Sequence, residues 1–137
     1  MDSYFCTMKR ICIFSSGKGT NAEHIIRHFL HSSLAKVSLI VCNNPAAGVM
    51  KVADENTVPV LLVSNETLHK EGQLLEQIKK LNIDFIVLAG FLRKVPDDVV
   101  RNYKNKIVNI HPALLPDFGG KGMYGKKVYE TVLCSGV

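Results

Sequence analysis

At 137 residues the chain is one domain's worth, long enough to bury a real core. Hydrophobic residues at 47% and charged residues at 21% give an ordinary soluble globular composition, and no apolar stretch approaches the length of a membrane span. The net charge of +5 favours an anionic partner, but the basic residues are scattered, without a Lys/Arg run or aromatic interleaving, so small anionic substrates fit better than nucleic acid.

Residues 1–7 read as a short leader, with Met8 an equally good start. Lys9 and Arg10 are followed by only four apolar residues, too few for a signal peptide, which leads to the expectation of a cytoplasmic protein. The run 9–14 is the first strand, continuously apolar from Ile11 as suits a sheet covered on both faces. A turn, Ser15-Ser16-Gly17-Lys18-Gly19-Thr20-Asn21, leads into a helix. Its apolar stripe is Ala22, Ile25, Ile26, Phe29 and Leu30, and Thr20 or Asn21 is its expected cap. A second strand over 37–42 ends at Asn43-Asn44-Pro45, a short helix carries Val49, Val52 and Ala53, and a third strand spans 58–63. The spacing predicts one helix over about 68–81 with Leu74, Leu75, Ile78 and Leu81 inward and Glu71, Glu76, Lys79 and Lys80 solvated. Residues 85–88 form a fourth strand, and 96–103 a helix with Pro96 in its first turn. Lys106-Ile107-Val108 opens the fifth strand, and Tyr129, Val132 and Leu133 mark a last short helix. This alternation predicts an α/β fold, a doubly wound, mostly parallel sheet with helices on both faces. Of the four cysteines, none makes a C-x-x-C or a zinc spacing. Cys12 and Cys42 lie within apolar runs and read as buried free thiols in a reducing compartment.

Gly17-x-Gly19-x-x-Ala22 between strand and helix has the form of a nucleotide-binding turn, where bare backbone and a helix N-terminus hold a phosphate. A dinucleotide fold calls for Asp or Glu after the second strand, and this chain has Asn43-Asn44. A P-loop calls for G-x-x-x-x-G-K-[ST], which is absent here. What survives is a cradle for a phosphorylated small molecule. A glycine turn that only shapes the helix start is the plainer alternative. Asn109 and His111, two apart at the end of the fifth strand, project to one side. An amide that holds an oxygen beside an imidazole that moves a proton makes a catalytic pair, against the plainer reading of a histidine bonded to a backbone carbonyl. Arg93 reads equally as an anion ligand or as a surface arginine packing its stem. Residues 117–122, Asp-Phe-Gly-Gly-Lys-Gly, form a candidate lid, with Asp117 either a partner for His111 or simply solvated. In a parallel sheet the glycine turn, Asn43-Asn44, the Leu92-Arg93 turn and Asn109/His111 converge on one edge.

With Ser16-Gly17-Lys18-Gly19-Thr20-Asn21, Leu88-Ala89-Gly90-Phe91-Leu92-Arg93 and Asn109-Ile110-His111-Pro112-Ala113-Leu114-Leu115-Pro116 in this order, the sequence resembles the phosphoribosylglycinamide formyltransferases of the folate-dependent formyltransferase family. The likeness covers residues 8–137 as one formyltransferase domain. It implies a Rossmann-like fold and transfer of a formyl group from 10-formyltetrahydrofolate, a co-substrate, to the amine of 5'-phosphoribosylglycinamide, without a metal. It also implies that Gly19, Thr20 and Asn21 hold the phosphate, and that Leu92, Arg93, Lys94 and Val95 line the folate pocket mainly through backbone. Lys70 is then the nearest basic folate contact, Asn109 meets the formyl oxygen and His111 is the catalytic imidazole. The wider group leaves a related 10-formyltetrahydrofolate-using transferase or deformylase as the neighbouring reading, and a non-catalytic nucleotide-binding module as the reading of another class. By the same resemblance the chain corresponds to the N-terminal two-thirds of such an enzyme, lacking a catalytic Asp segment. A monomer or homodimer is expected.

Overall fold

The computed structural model describes residues 8–110. Five strands, β1 (Lys9–Phe14), β2 (Ala35–Cys42), β3 (Val60–Leu62), β4 (Phe85–Ala89) and β5 (Ile107–Ile110), form one sheet in the order β3-β2-β1-β4-β5. Every neighbouring pair is parallel, as the continuous apolar runs predict. The connections are α1 (Thr20–His28), α2 (Val49–Glu55), α3 (Asn65–His69), α4 (Gln73–Lys80) and α5 (Asp97–Asn102).

Alternation along the strands sorts the core into two layers. Cys12, Phe14, Leu39, Val41 and Ile86 face one side and pack with Leu68, Leu74, Ile78, Val95, Val99 and Tyr103 from α3, α4 and the α5 region. Ile11, Ile13, Ile40, Cys42 and Ala89 face the other and pack with Ala22 and Ile26 of α1 and Val49 and Ala53 of α2. The sheet is thus doubly wound. The register of β1 against β2 shifts between Ile11 and Cys12, whose partners are Val37 and Leu39, leaving Ser38 as the extra residue. Cys12 and Cys42 are buried free thiols, and burial pushes the Cys12 thiol well above its ordinary range against the opposing Val41 backbone hydrogen bond.

Several local expectations are corrected. The single helix expected over 68–81 is two helices. Ser64 caps α3, its Oγ accepting from Thr67 N at 3.2 Å, and the chain then turns through Lys70, Glu71 and Gly72 (φ +83°) before α4 begins. Leu68 and Leu74 are six residues apart, which puts them on different faces of a continuous helix; the break lets both reach the core. Leu81, expected inward, follows α4 and is 39% exposed, whereas Leu74 and Ile78 are buried. Neither Thr20 nor Asn21 caps α1, because Gly19 at φ +84° occupies that position and both lie in the first turn. Leu30, at the end of the predicted stripe, falls past α1 and is exposed. Pro96 precedes α5 as its cap residue instead of lying within the first turn; Ala35 and Lys36, outside the predicted 37–42, join β2, and β3 is only three residues long where 58–63 was expected. The leader, the 117–122 loop, Asp117, the helix carrying Tyr129, Val132 and Leu133, and His111 lie outside the described residues.

Candidate active site at the strand switch

In this strand order the chain reverses direction of progress between β1 and β4, and the crevice beyond their carboxyl ends is where open α/β sheets take ligands. Three loops meet there: 15–19 after β1, 43–48 after β2 and 90–96 after β4. Ser16 ties them together. Its backbone N–H donates to Gly90 O at 3.1 Å, its hydroxyl accepts from Leu92 N at 2.9 Å, and the same hydroxyl donates to Asn43 Oδ1. Ser16 is 7% exposed, so these bonds are made away from bulk water. Phe91 lies edge-on to Phe14 with ring centres 5.2 Å apart, fixing the start of the third loop on the end of β1.

The glycine turn is shaped by its neighbour as well as by any ligand. A Cβ at Gly19 would stand 2.8 Å from Val49 Cα, and one at Gly48 2.9 Å from Lys18 O. Val49 N donates to Gly17 O at 3.0 Å, so the turn after β1 is seated on the start of α2. Gly17 has open space around it and Lys18 and Thr20 are exposed, which leaves the outer rim of the turn accessible. The first α1 bond, Glu23 N to Gly19 O at 2.8 Å, begins the helix directly at this rim. The asparagines found where a dinucleotide fold has an acidic residue are used internally. Asn43 receives Ser16, and Asn44 Oδ1 accepts from Ala46 N at 3.0 Å in an Asx-type turn.

On the β4 side, Leu92 is 75% exposed, Arg93 and Lys94 are exposed, and Val95 is buried in the core. Arg93, Lys94 and Val95 line a cavity of about 340 Å³ together with Asn65, His69 and Asp98 among others. Arg93 Nε donates to Asn65 Oδ1 at 3.0 Å, and Asp98 Oδ2 accepts from Gly72 N at 2.6 Å, so the break between α3 and α4 forms the far wall. Lys70 ends α3 and is exposed; its neighbours His69 and Glu71 line the cavity, and Lys70 does not. Asn109 lies in β5 opposite Leu88, which lies opposite Phe14. That row places Asn109 two strand spacings from the end of β1, about 10 Å. It shares its sheet face with Phe14 and Leu88, the face that packs α3 to α5, while Val108 and Ile110 turn to the opposite, apolar face. The structure therefore brings Ser16, the glycine turn, Leu92 and Asn109 to one edge, with Lys70 set back from the cavity wall. Ser16 is the site residue that sequence reasoning missed; only its place after an apolar run, at a strand's carboxyl end, pointed toward it. Among the described residues no group of three or more His, Cys, Asp or Glu side chains is placed to hold a metal ion, and no helix is long and apolar enough to cross a membrane.

The family model described as formyl transferase matches residues 9–137. This chain belongs to the formyl transferase family. Within that family it is similar to a phosphoribosylglycinamide formyltransferase of Bacillus subtilis, 31% identical over 135 residues that cover 95% of this chain and 69% of that protein. It is 37% identical over 133 residues to a chloroplastic phosphoribosylglycinamide formyltransferase of Vigna unguiculata, covering 93% of this chain and 43% of that protein. The crystal structure of glycinamide ribonucleotide transformylase 1 from Geobacillus kaustophilus superimposes with a TM-score of 0.73 at 35% identity, covering 95% of this formyl transferase chain and 69% of that one. The chain thus spans less than half of the chloroplastic relatives and about two-thirds of the bacterial ones. The formyl transferase match and the parallel, doubly wound sheet agree with the fold and family expected from the motifs.

Proposed function

We propose that this chain serves the transfer of a formyl group from 10-formyltetrahydrofolate to the amine of 5'-phosphoribosylglycinamide, in de novo purine biosynthesis. The observation that carries the reading is the row Phe14–Leu88–Asn109, which sets a carboxamide about 10 Å from the end of β1, where the chain enters the glycine turn, at the switch of a formyl transferase sheet. That separation suits two small reactants meeting between a phosphate held at the turn and a formyl donor lying over the β4 loop.

In this reading Gly19, Thr20 and Asn21 receive the phosphate at the start of α1, where backbone N–H groups and the positive end of the helix dipole favour an anion. The donor lies along Leu92, Arg93, Lys94 and Val95, with Lys70 as a more distant basic contact. The substrate amine attacks the formyl carbon, and charge develops on the formyl oxygen. Asn109's amide N–H donates to that oxygen, with a protonated His111 as the second donor; a preorganised donor of this kind is worth roughly 3–4 kcal/mol. The imidazolium then gives its proton to the departing folate nitrogen and, once neutral, takes one from the attacking amine. The formyl C–N bond to the folate breaks as the bond to the substrate amine forms, so no covalent enzyme intermediate is needed.

The test is formyl transfer and nucleotide binding measured side by side. Asn109→Ala and His111→Ala lower transfer by about 100-fold or more while binding of the nucleotide persists. Undiminished turnover in either variant removes the catalytic assignment. Thr20→Ala combined with Asn21→Ala raises the nucleotide concentration needed for half-saturation, and unchanged binding would displace the phosphate cradle from this turn.

A further inference from the structure

The two loops assigned above to different reactants share one hydroxyl group. Ser16 immediately precedes the glycine turn in sequence, yet its Oγ accepts the N–H of Leu92, 76 residues further along the chain. The same oxygen passes its own proton to Asn43 Oδ1, 27 residues away on the loop after β2. The backbone repeats the link, Ser16 N to Gly90 O. A hydroxyl has a single proton, so the three groups form a directed chain, Leu92 N–H to Ser16 O–H to Asn43 Oδ1, in which each bond polarises the next. Leu92's side chain is 75% exposed and contributes little packing to hold its backbone in place. On its other side the turn is seated on α2 through Val49 N to Gly17 O and the close approach of Gly19 to Val49.

We propose that Ser16 is a positioning residue that couples the phosphate turn to the backbone of the loop after β4, so that an anion held at the turn also orders Leu92 and its neighbours. This rests on the functional reading above for the identity of the two ligands. The hydrogen-bonded chain carries the coupling itself. An anion drawing the turn inward tightens Ser16 against Leu92 N, and the loop that faces the formyl donor becomes better ordered before the donor arrives. Nucleotide occupancy then favours donor binding, and by linkage donor occupancy favours the nucleotide equally. Asn43 takes part as the acceptor that aims the hydroxyl's proton away from Leu92, which keeps the lone pair facing the Leu92 N–H.

The experiment is site-resolved amide hydrogen exchange on the full chain with ribose 5-phosphate as the probe, in the parent protein and in Ser16→Ala, Ser16→Thr and Asn43→Ala. In the unliganded parent the Leu92 amide is protected, and Ser16→Ala raises its exchange roughly tenfold, the size of one lost hydrogen bond. Ser16→Thr, which keeps the hydroxyl, restores protection, and the half-buried Asn43→Ala moves exchange in the same direction as Ser16→Ala by a smaller factor. Adding ribose 5-phosphate slows exchange at residues 17–23 in all variants but reaches Leu92 only where residue 16 carries a hydroxyl. A merely structural Ser16 would raise exchange broadly and would leave the ligand's effect on Leu92 intact. Equal Leu92 exchange in the parent, Ser16→Ala and Asn43→Ala overturns the coupling, as does a ligand effect that reaches Leu92 in Ser16→Ala. If ribose 5-phosphate slows nothing over 17–23 in any variant, the phosphate reading of the turn falls and the coupling falls with it, an outcome distinct from the first two.

Discussion

Gly17, Gly19 and Gly72 make different demands on the backbone, and alanine at each separates them. Gly19 combines φ +84° with a neighbouring main chain 2.8 Å from where a Cβ would stand, so both strain and collision follow. Gly19→Ala is expected to cost about 3 kcal/mol. Gly72 has a similar φ of +83° in open space, and Gly72→Ala costs about 1 kcal/mol from the left-handed backbone alone. Gly17 has neither feature, and Gly17→Ala stays within about 0.5 kcal/mol. Urea midpoints of the three variants give the order, and a Gly17→Ala loss as large as that of Gly19→Ala would overturn it. The Gly-x-Gly spacing made this turn legible from sequence, though the tightest constraint on Gly19 is Val49, which no local pattern reveals. Ser16 and Asn43 were not legible as partners for the same reason. They are 27 residues apart, and a loop serine or asparagine carries no periodicity to announce a distant bond.

At the scale of elements, the division between α3 and α4 shows what a helical stripe can conceal. Apolar residues at 74, 75 and 78 hold one phase, and the eye extends it back to Leu68 and on to Leu81. Gly72 was visible within that stretch, but a lone glycine costs a helix only about 1 kcal/mol and does not by itself dictate a break. What decides it lies elsewhere in the chain, in the Asp98 carboxylate that receives Gly72 N at 2.6 Å from α5. Truncation distinguishes the true inward residues. Leu74→Ala and Ile78→Ala, at 1% and 0% exposure, are expected to lose about 2–5 kcal/mol, and Leu81→Ala no more than about 1 kcal/mol, by urea denaturation. Comparable losses at 78 and 81 would restore a longer helix. The strands were easier to read because their continuous apolar runs have one explanation, burial on both faces, and β1 was placed to the residue.

For the molecule as a whole, alkaline pH probes the sealed layer between the sheet and α3 to α5. Burial raises the Cys12 thiol above its usual range, and burial, with smaller contributions from Cys12 and Asp84, raises the Tyr103 phenol, whose O–H donates to Ile83 O at 2.8 Å. Both groups stay neutral in the folded chain, while the unfolded thiol ionises near pH 8.5 and the unfolded phenol near 10. A raised folded pKa means that stability is complete below the unfolded value and is lost as pH rises beyond it. Urea midpoints measured under reducing conditions should therefore hold level to about pH 8.5 and fall toward pH 10.5. Cys12→Ala, whatever its baseline, should delay the fall; parallel profiles for parent and variant would show that the thiol is not sealed. Fold class and parallel topology were legible in the alternation of elements. The placement of β1 between β2 and β4 was not, because strand order depends on which crossovers pack, and no single element's residues encode it.

That central placement of β1 bears on how the chain is made. Of these five strands β1 is made before the others and gains β2 early, but its other edge meets β4 only later; the bond from Arg10 N to Asp84 Oδ2 closes 74 residues of chain. Until then Ile11, Cys12, Ile13 and Phe14 present an unsatisfied apolar edge to other nascent copies, the kind of surface on which aggregation begins. Variants that slow formation of β4 should accordingly reduce soluble yield more than they reduce the equilibrium stability of protein already folded.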